Sequence, residues 1–194
     1  EISQEEYVSL VEKNAITDVL AKHEIRPGDV FFLPAGRIHA IGAGAFIAEI
    51  QQTSDITYRI YDYGRLGLDG KPRELHTELA KEAIDYRVYP EYKTAYSAKK
   101  NEENEVVRCP FFTTSVLDLD KPFEKDLSDM DSFLVAICVG GNGKIVDCES
   151  STCGCSEEKV EVSFKQGETV LIPASSKRAV FIPDSPMKVI ISHL

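Results

Sequence analysis

The chain has 194 residues and a formal net charge of −10 at pH 7, with 43% hydrophobic and 28% charged residues. This is the composition of a globular protein, and the length allows one large domain or two small ones. The acidic balance argues against a non-specific nucleic-acid binder and against adhesion to anionic membranes, and no apolar run approaches the ~20 residues of a membrane span.

The chain opens with signals for helices. Ser3 and Glu6 form the pattern of a capping box, and apolar residues follow at helical spacing. Asn14 is placed to cap a second short helix, which ends before Pro27 and Gly28. Short β-rich runs then occupy residues 30–33, 45–50 and 57–63, and a further short helix is predicted over 77–86.

The second half of the chain reads as all-β. Residues 90–105 are polar and charged, which is typical of a connector. Strands are predicted over 106–119, 132–139, 144–148, 160–164, 169–172, 179–182 and 187–192. Their short, even spacing favours a sandwich or barrel, and the glycine-rich residues 140–143 suggest a hairpin turn. Five irregularly spaced cysteines do not form a disulfide framework, so a cytoplasmic location is expected.

One sequence pattern occurs twice. Residues 28–39 and 167–178 share a glycine, an acidic residue, an apolar run and a Pro-Ala pair in the same order, 139 positions apart. The second copy has Ser175 in place of Gly36 and Arg178 in place of His39. Such a turn, buried strand and proline turn is one corner of an antiparallel jelly roll, so two copies predict two jelly rolls, of which only the first keeps a metal-capable side chain.

The first copy matches the second conserved motif of the cupin superfamily, with Gly28, Pro34, Gly36 and His39 at the motif spacing. Together with residues 47–65, it closely resembles the type I mannose-6-phosphate isomerases, especially their short bacterial form. The resemblance is dense up to about Tyr86 and looser to the C-terminus. It implies a mainly β fold of two cupin-type jelly rolls, one incomplete and one complete, with short helices at the N-terminus and between the lobes.

The resemblance also implies a function. The family consists of zinc-dependent aldose–ketose isomerases that interconvert mannose 6-phosphate and fructose 6-phosphate through a cis-enediol. By position, His39 corresponds to a zinc ligand, Arg59 and Glu49 to catalytic residues, and Asp55 to a cleft residue. Arg65 belongs to a locally basic stretch of the kind that a phosphorylated hexose needs. Asp55 and Arg65 are therefore expected to bind substrate.

The chain also departs from the family. The other zinc ligands of the family lie upstream of everything present, and no His-x-His pattern occurs among the four histidines. The chain begins at Glu1 without Met, so it resembles a C-terminal portion that lacks the first half of the catalytic jelly roll. We expect a partial catalytic lobe at 1–89, a connector at 90–105 and a jelly roll without metal ligands at 106–194. We further expect the chain alone to be inactive and to self-associate through its incomplete lobe.

Alternatives remain open at each position. His39 also fits a histidine satisfied within a β corner, and Glu49 fits the solvated face of a strand. The Arg59 guanidinium needs an anion, which is either Asp55 or Asp62 in a structural pair or the enediolate of a substrate. A non-catalytic sugar-binding or structural cupin module is the alternative function.

Overall fold

The computed structural model describes residues 1–54, 56–148 and 159–194. The chain divides into two compact units. The first unit comprises Glu1–Ile47 and Thr53–Lys93, and the second comprises Ala48–Gln52 and Thr94–Leu194. None of the helices in the described part of the chain has the length and apolarity that a membrane crossing requires.

The first unit contains helix α1 (Gln4–Glu12), a 3₁₀ turn (Ile16–Asp18) and helix α2 (Thr77–Ala83). The predicted capping box is confirmed, because Glu6 N donates to the Ser3 hydroxyl and Ser3 N donates to the Glu6 carboxylate. Asn14 was wrongly predicted as a cap, since it has a φ of 55° and the 3₁₀ turn begins after Ala15. Tyr7 and Ile16 are buried in a small core beneath these helices.

The strands predicted at 30–33, 45–50 and 57–63 do not form. In the described residues before Lys100, the only β pairing is an isolated bridge between Leu66 and Pro72. A β-rich run becomes a strand only when a neighbouring segment satisfies its backbone groups. The described residues provide no such neighbour for these runs.

All nine strands of the described chain lie in the second unit. They are β1 (Glu103–Arg108), β2 (Thr113–Leu119), β3 (Phe123–Asp126), β4 (Leu134–Gly140), β5 (Asn142–Cys148), β6 (Lys159–Lys165), β7 (Thr169–Ile172), β8 (Arg178–Pro183) and β9 (Met187–His193). They form two antiparallel sheets, with strand orders β1-β2-β9-β4-β7 and β3-β8-β5-β6. The predicted β-rich cupin fold is confirmed.

The inner faces of the two sheets supply one apolar core. Leu134 and Ile191 come from the first sheet and Phe164 and Phe181 from the second, and each is at most 1% exposed. Alternation along β4 places every second residue in this core, as expected of a strand with one face against a second sheet.

The glycine turn at 140–143 was wrongly predicted as a hairpin. β4 pairs with β7 and β9, whereas β5 pairs with β6 and β8, so the turn carries the chain from one sheet to the other. Gly141 has a φ of +76°, and a Cβ atom there would lie 2.1 Å from the Pro186 carbonyl oxygen. Glycine is required because the backbone passes too close to Pro186 for any side chain.

Candidate functional site

The two copies of the repeated pattern share the positive φ of their first glycine and three hydrogen bonds. Gly28 has a φ of 97° and Gly167 a φ of 89°. The same three hydrogen bonds occur in both copies, 139 positions apart. In the first copy, Asp29 N donates to Arg26 O, Arg26 N to the Asp29 carboxylate and Arg37 N to Pro34 O. In the second copy, Glu168 N donates to Lys165 O, Lys165 N to the Glu168 carboxylate and Ser176 N to Pro173 O. We call these segments the first corner (residues 26–39) and the second corner (residues 165–178).

Gly36 fixes the turn of the first corner. Its carbonyl oxygen accepts the backbone N–H of Asp85 at 3.0 Å, and its φ is +82°. A Cβ atom at this position would lie 2.5 Å from the carbonyl oxygen of Ala83, at the end of α2. The first corner therefore packs directly on the backbone that follows α2, and only glycine allows this approach.

The Arg37 side chain also stabilises this turn. Its guanidinium lies 3.9 Å from the Asp85 carboxylate and 4.3 Å from the centre of the Tyr89 ring. Asp85 also accepts hydrogen bonds from Arg87 and from the Tyr89 hydroxyl, and these donors hold the pKa of its carboxyl well below the usual range. This network fixes the backbone at Arg37, two residues before His39.

His39 is exposed, and its Nδ1 atom lies 3.0 Å from the Arg37 carbonyl oxygen. A carbonyl can only accept, so this contact assigns the proton to Nδ1 and leaves the Nε2 lone pair available. Most metal-binding histidines are oriented by such a hydrogen bond from the ring nitrogen that does not bind the metal. His39 is therefore arranged as a single metal ligand would be.

The described residues do not complete a metal site. No group of three or more His, Cys, Asp or Glu side chains within residues 1–54, 56–148 and 159–194 is arranged to hold a metal ion. A zinc ion needs three or four protein ligands, so His39 alone does not hold one. The described residues thus supply one suitable ligand for a zinc ion, His39, but not a complete zinc site.

Arg59 is held by the segment that leads into α2. Its backbone N–H donates to His76 Nδ1 at 3.0 Å, and its carbonyl accepts the His76 N–H at 2.7 Å. The guanidinium, 28% exposed, donates to the Glu74 carbonyl oxygen at 3.3 Å. Both the backbone and the side chain of Arg59 are thus fixed from one neighbouring segment.

Three arginines surround the buried carboxylate of Asp62, which is 7% exposed. Arg73 Nε donates to Asp62 Oδ2 at 2.6 Å and a second Arg73 nitrogen binds Oδ1. Arg65 Nη2 donates to Oδ1 at 2.8 Å, and Arg59 Nε lies 3.9 Å away. The Arg73 hydrogen bonds, followed by those of Arg65, lower the pKa of Asp62 to about 2. The Asp62 carboxylate therefore stays ionised at neutral pH, and the cluster of one aspartate and three arginines carries a net positive charge.

The remaining predicted site residues lie elsewhere or outside the description. Glu49 is exposed and lies in Ala48–Gln52, the segment that groups with the second unit. Asp55 lies outside the described residues. The structure brings Arg59 and Arg65 together around Asp62, as described above, and places His39 on the first corner.

Asp62 was one of two predicted partners of Arg59, whereas no partner was predicted for Arg73. The contact between Arg59 and His76 was not predicted. A β-rich run with two arginines beside one aspartate is a signal for such a cluster, but the His76 contact spans 17 positions and arises from the fold.

No family model matches the chain. It is 30% identical to the mannose-6-phosphate isomerase ManA of Bacillus subtilis over 173 residues, which cover 88% of this chain and 51% of that protein. It is 31% identical to the putative mannose-6-phosphate isomerase YvyI of the same organism, over 99% of this chain and 57% of that protein. The chain is homologous to part of a type I mannose-6-phosphate isomerase.

The solved structure of the B. subtilis mannose 6-phosphate isomerase supports the same conclusion. It matches with a TM-score of 0.80 and 27% sequence identity, over 99% of this chain and 57% of that one. The chain thus spans about half the length of the mannose-6-phosphate isomerases it matches.

Proposed function

We propose that the chain is the arginine-bearing part of a mannose-6-phosphate isomerase, which interconverts mannose 6-phosphate and fructose 6-phosphate through a cis-enediol. The observation that carries this proposal is the similarity to proteins named as such isomerases over nearly the whole chain. A cytoplasmic location, predicted from cysteine usage, belongs to the same proposal.

Arg59 suits the charge that this reaction builds. Isomerisation moves a proton between C1 and C2, and negative charge grows on the adjacent oxygens as the enediol forms. A guanidinium that is already fixed stabilises this charge without reorganising during the reaction. His76 and Glu74 supply this fixation for Arg59, and Asp62 lies near enough to orient it.

Glu49 is proposed for proton transfer, the role that its position in the family pattern gives it. A carboxylate within reach of the substrate can act as a general base in such a transfer. Its exposure in this structure equally fits a solvated side chain, so its assignment rests on the resemblance.

The Asp62 cluster suits a phosphorylated substrate. Arg65 is 64% exposed and Arg73 37% exposed, so both present N–H groups to solvent while Asp62 neutralises only part of their charge. Arginine donors match phosphate oxygens in geometry as well as charge. Arg65, with Asp55, is therefore proposed to bind the phosphorylated hexose.

Zinc dependence is proposed from the resemblance, with His39 as one ligand. A bound zinc would polarise the sugar carbonyl as a Lewis acid. The described residues supply no group of ligands that would complete the site around His39. On this proposal the 194-residue chain alone binds zinc weakly and does not turn over substrate.

The test is an assay of the purified chain for zinc content and for interconversion of the two hexose 6-phosphates. We expect zinc well below one ion per chain and no turnover. Stoichiometric zinc with normal turnover would contradict the prediction for the isolated chain. Thermal stabilisation by either hexose phosphate, without interconversion in any assembled form, would favour the sugar-binding module instead.

A further inference from the structure

His76 occupies the position at which a side chain ordinarily caps a helix. It is the residue before α2, and its carbonyl oxygen accepts the Ala80 N–H at 2.8 Å. Ser, Thr, Asn and Asp are preferred there because their side chains accept an unpaired N–H of the first turn. Within α2, which the structure describes completely, the His76 side chain makes no such bond. Its Nδ1 atom instead accepts the Arg59 N–H at 3.0 Å, so its hydrogen-bonding capacity is directed towards Arg59.

This contact determines where the imidazole carries its proton. A backbone N–H can only donate, so Nδ1 of His76 must offer a lone pair, and the proton of the neutral ring lies on Nε2. His39 has the opposite arrangement, because its Nδ1 faces a carbonyl oxygen. The neutral Nε2–H form of His76 is the form that keeps the bond to Arg59.

Two hydrogen bonds between Arg59 and His76 align two segments that lie 17 positions apart. The Arg59 N–H donates to the His76 ring, and the Arg59 carbonyl oxygen accepts the His76 N–H at 2.7 Å. The segment of His76 also supplies Glu74, whose carbonyl oxygen accepts Arg59 Nη1 at 3.3 Å. The contact of the guanidinium with Glu74 therefore depends on the alignment of residues 59 and 76.

We propose that His76 is a positioning residue for Arg59 and that it acts as the neutral Nε2–H tautomer. Its ring holds the Arg59 backbone, and the held backbone keeps the guanidinium against Glu74 and 3.9 Å from Asp62. The benefit to isomerisation rests on the proposed function of Arg59, because a guanidinium fixed in advance stabilises the growing negative charge without reorganising.

The test is NMR spectroscopy of the full isotope-labelled chain and its variants. Long-range proton–nitrogen correlation spectra identify the protonated ring nitrogen of His76, and we expect Nε2. Two readouts then report the fixation of Arg59: the solvent exchange of its backbone N–H and the heteronuclear NOE of its Nε–H. In His76→Ala the backbone N–H should exchange roughly 2- to 12-fold faster, which corresponds to the loss of one hydrogen bond, and the NOE should fall.

Two amide variants separate the hydrogen-bond acceptor from the volume of the ring. In His76→Asn the side-chain oxygen is attached to Cγ, as Nδ1 is in histidine, so it can accept the Arg59 N–H. In His76→Gln the oxygen lies one bond further out, although glutamine is closer to histidine in size. We expect His76→Asn to restore the exchange to within about twofold of the parent and His76→Gln to behave like His76→Ala. Asparagine is also a good N-cap, so both readouts are taken at Arg59 and not in α2.

His23→Ala is the matched control. His23 belongs to the same unit, and its ring contacts the rings of Phe31 and Tyr92. This variant removes an imidazole of the first unit that makes no bond to Arg59, so it should leave both Arg59 readouts unchanged.

Three results would overturn the inference: a proton on Nδ1 of His76, an Nε–H NOE that His76→Ala leaves unchanged, or a His76→Asn variant no closer to the parent than His76→Gln. Titration of the parent chain with fructose 6-phosphate tests the proposed function separately. If the Arg59 Nε–H resonance does not shift, the result counts against the proposed function, whereas the positioning of Arg59 is measured without substrate.

Discussion

The first and second corners show the same local structure in two different settings. Both have a glycine with positive φ, an acidic residue bound to a backbone N–H and a proline turn. The second corner contains β7, a strand of a two-sheet jelly roll, whereas residues 30–33 join no sheet in the described part of the first unit. Short-range sequence therefore determines the turns, and distant strands determine whether the segment between them becomes part of a sheet.

The largest difference is expected where equivalent side chains differ in burial. Ile172→Ala should lower the free energy of unfolding of the second unit by about 2–5 kcal/mol, because it leaves a cavity in a packed core. Leu33→Ala should change stability by no more than about 0.5 kcal/mol, because Leu33 is already exposed. Chemical denaturation of both variants measures this, and equal losses would show that the first corner is packed like the second.

A smaller difference is expected at the turn itself. Gly36→Ser should destabilise the first unit by about 1–3 kcal/mol, since the residue has a φ of +82° and its Cβ would collide with the Ala83 carbonyl. The reverse change, Ser175→Gly, should cost about 0.5–1 kcal/mol through backbone entropy, as Ser175 is not among the positive-φ residues of the described chain. Thermal unfolding of each variant tests the pair, and a harmless Gly36→Ser would refute the close packing.

Acid should affect the first unit through Asp62. Its pKa is lowered to about 2 by Arg73 and Arg65, so its contribution to stability is present above the unfolded pKa of about 3.9 and is lost as the pH falls through about 2. The protection of the α1 amides, measured relative to the intrinsic exchange rate at each pH, should therefore fall between pH 4 and pH 2. Asp62→Asn should remove much of this dependence, with Asp126→Asn in the second unit as the control. An unchanged pH profile in Asp62→Asn would show that the cluster does not stabilise the unit.

The smallest effect is expected at Arg65. Its guanidinium is mostly exposed, and Arg73 already binds both oxygens of Asp62. Arg65→Ala should change the free energy of unfolding by about 0–1 kcal/mol, the usual range for an exposed ion pair. Denaturant unfolding provides the measurement, and a loss above 2 kcal/mol would make Arg65 a structural residue rather than one available to a phosphate.

The fold of the second unit was largely predictable because its strands alternate and end at clear turns. β7 was predicted at its observed bounds. β3 was missed, because its four residues alternate between half-buried and exposed and include three charged side chains. The turn at 140–143 was misassigned because a glycine run does not reveal which sheet the next strand joins.

The candidate site was predictable only in part. The motif spacing singled out His39, and its exposed position with one oriented ring nitrogen fits a ligand. The fixation of Arg59 by His76 was not predictable, because neither residue type nor spacing signals a backbone-to-imidazole bond across 17 positions. The strands predicted at 30–33, 45–50 and 57–63 were wrong for a different reason. Their residue types favour a strand, but whether a strand pairs with a neighbour is not decided by local sequence.

The most direct measurement is amide hydrogen exchange on the isolated chain, read at residues 30–33 and 169–172. We expect the amides of β7 to exchange slowly and those of residues 30–33 rapidly, although each segment is preceded by a positive-φ glycine and followed by a proline turn. Equal, strong protection at the two segments would contradict it, since the first corner would then already be paired in a sheet.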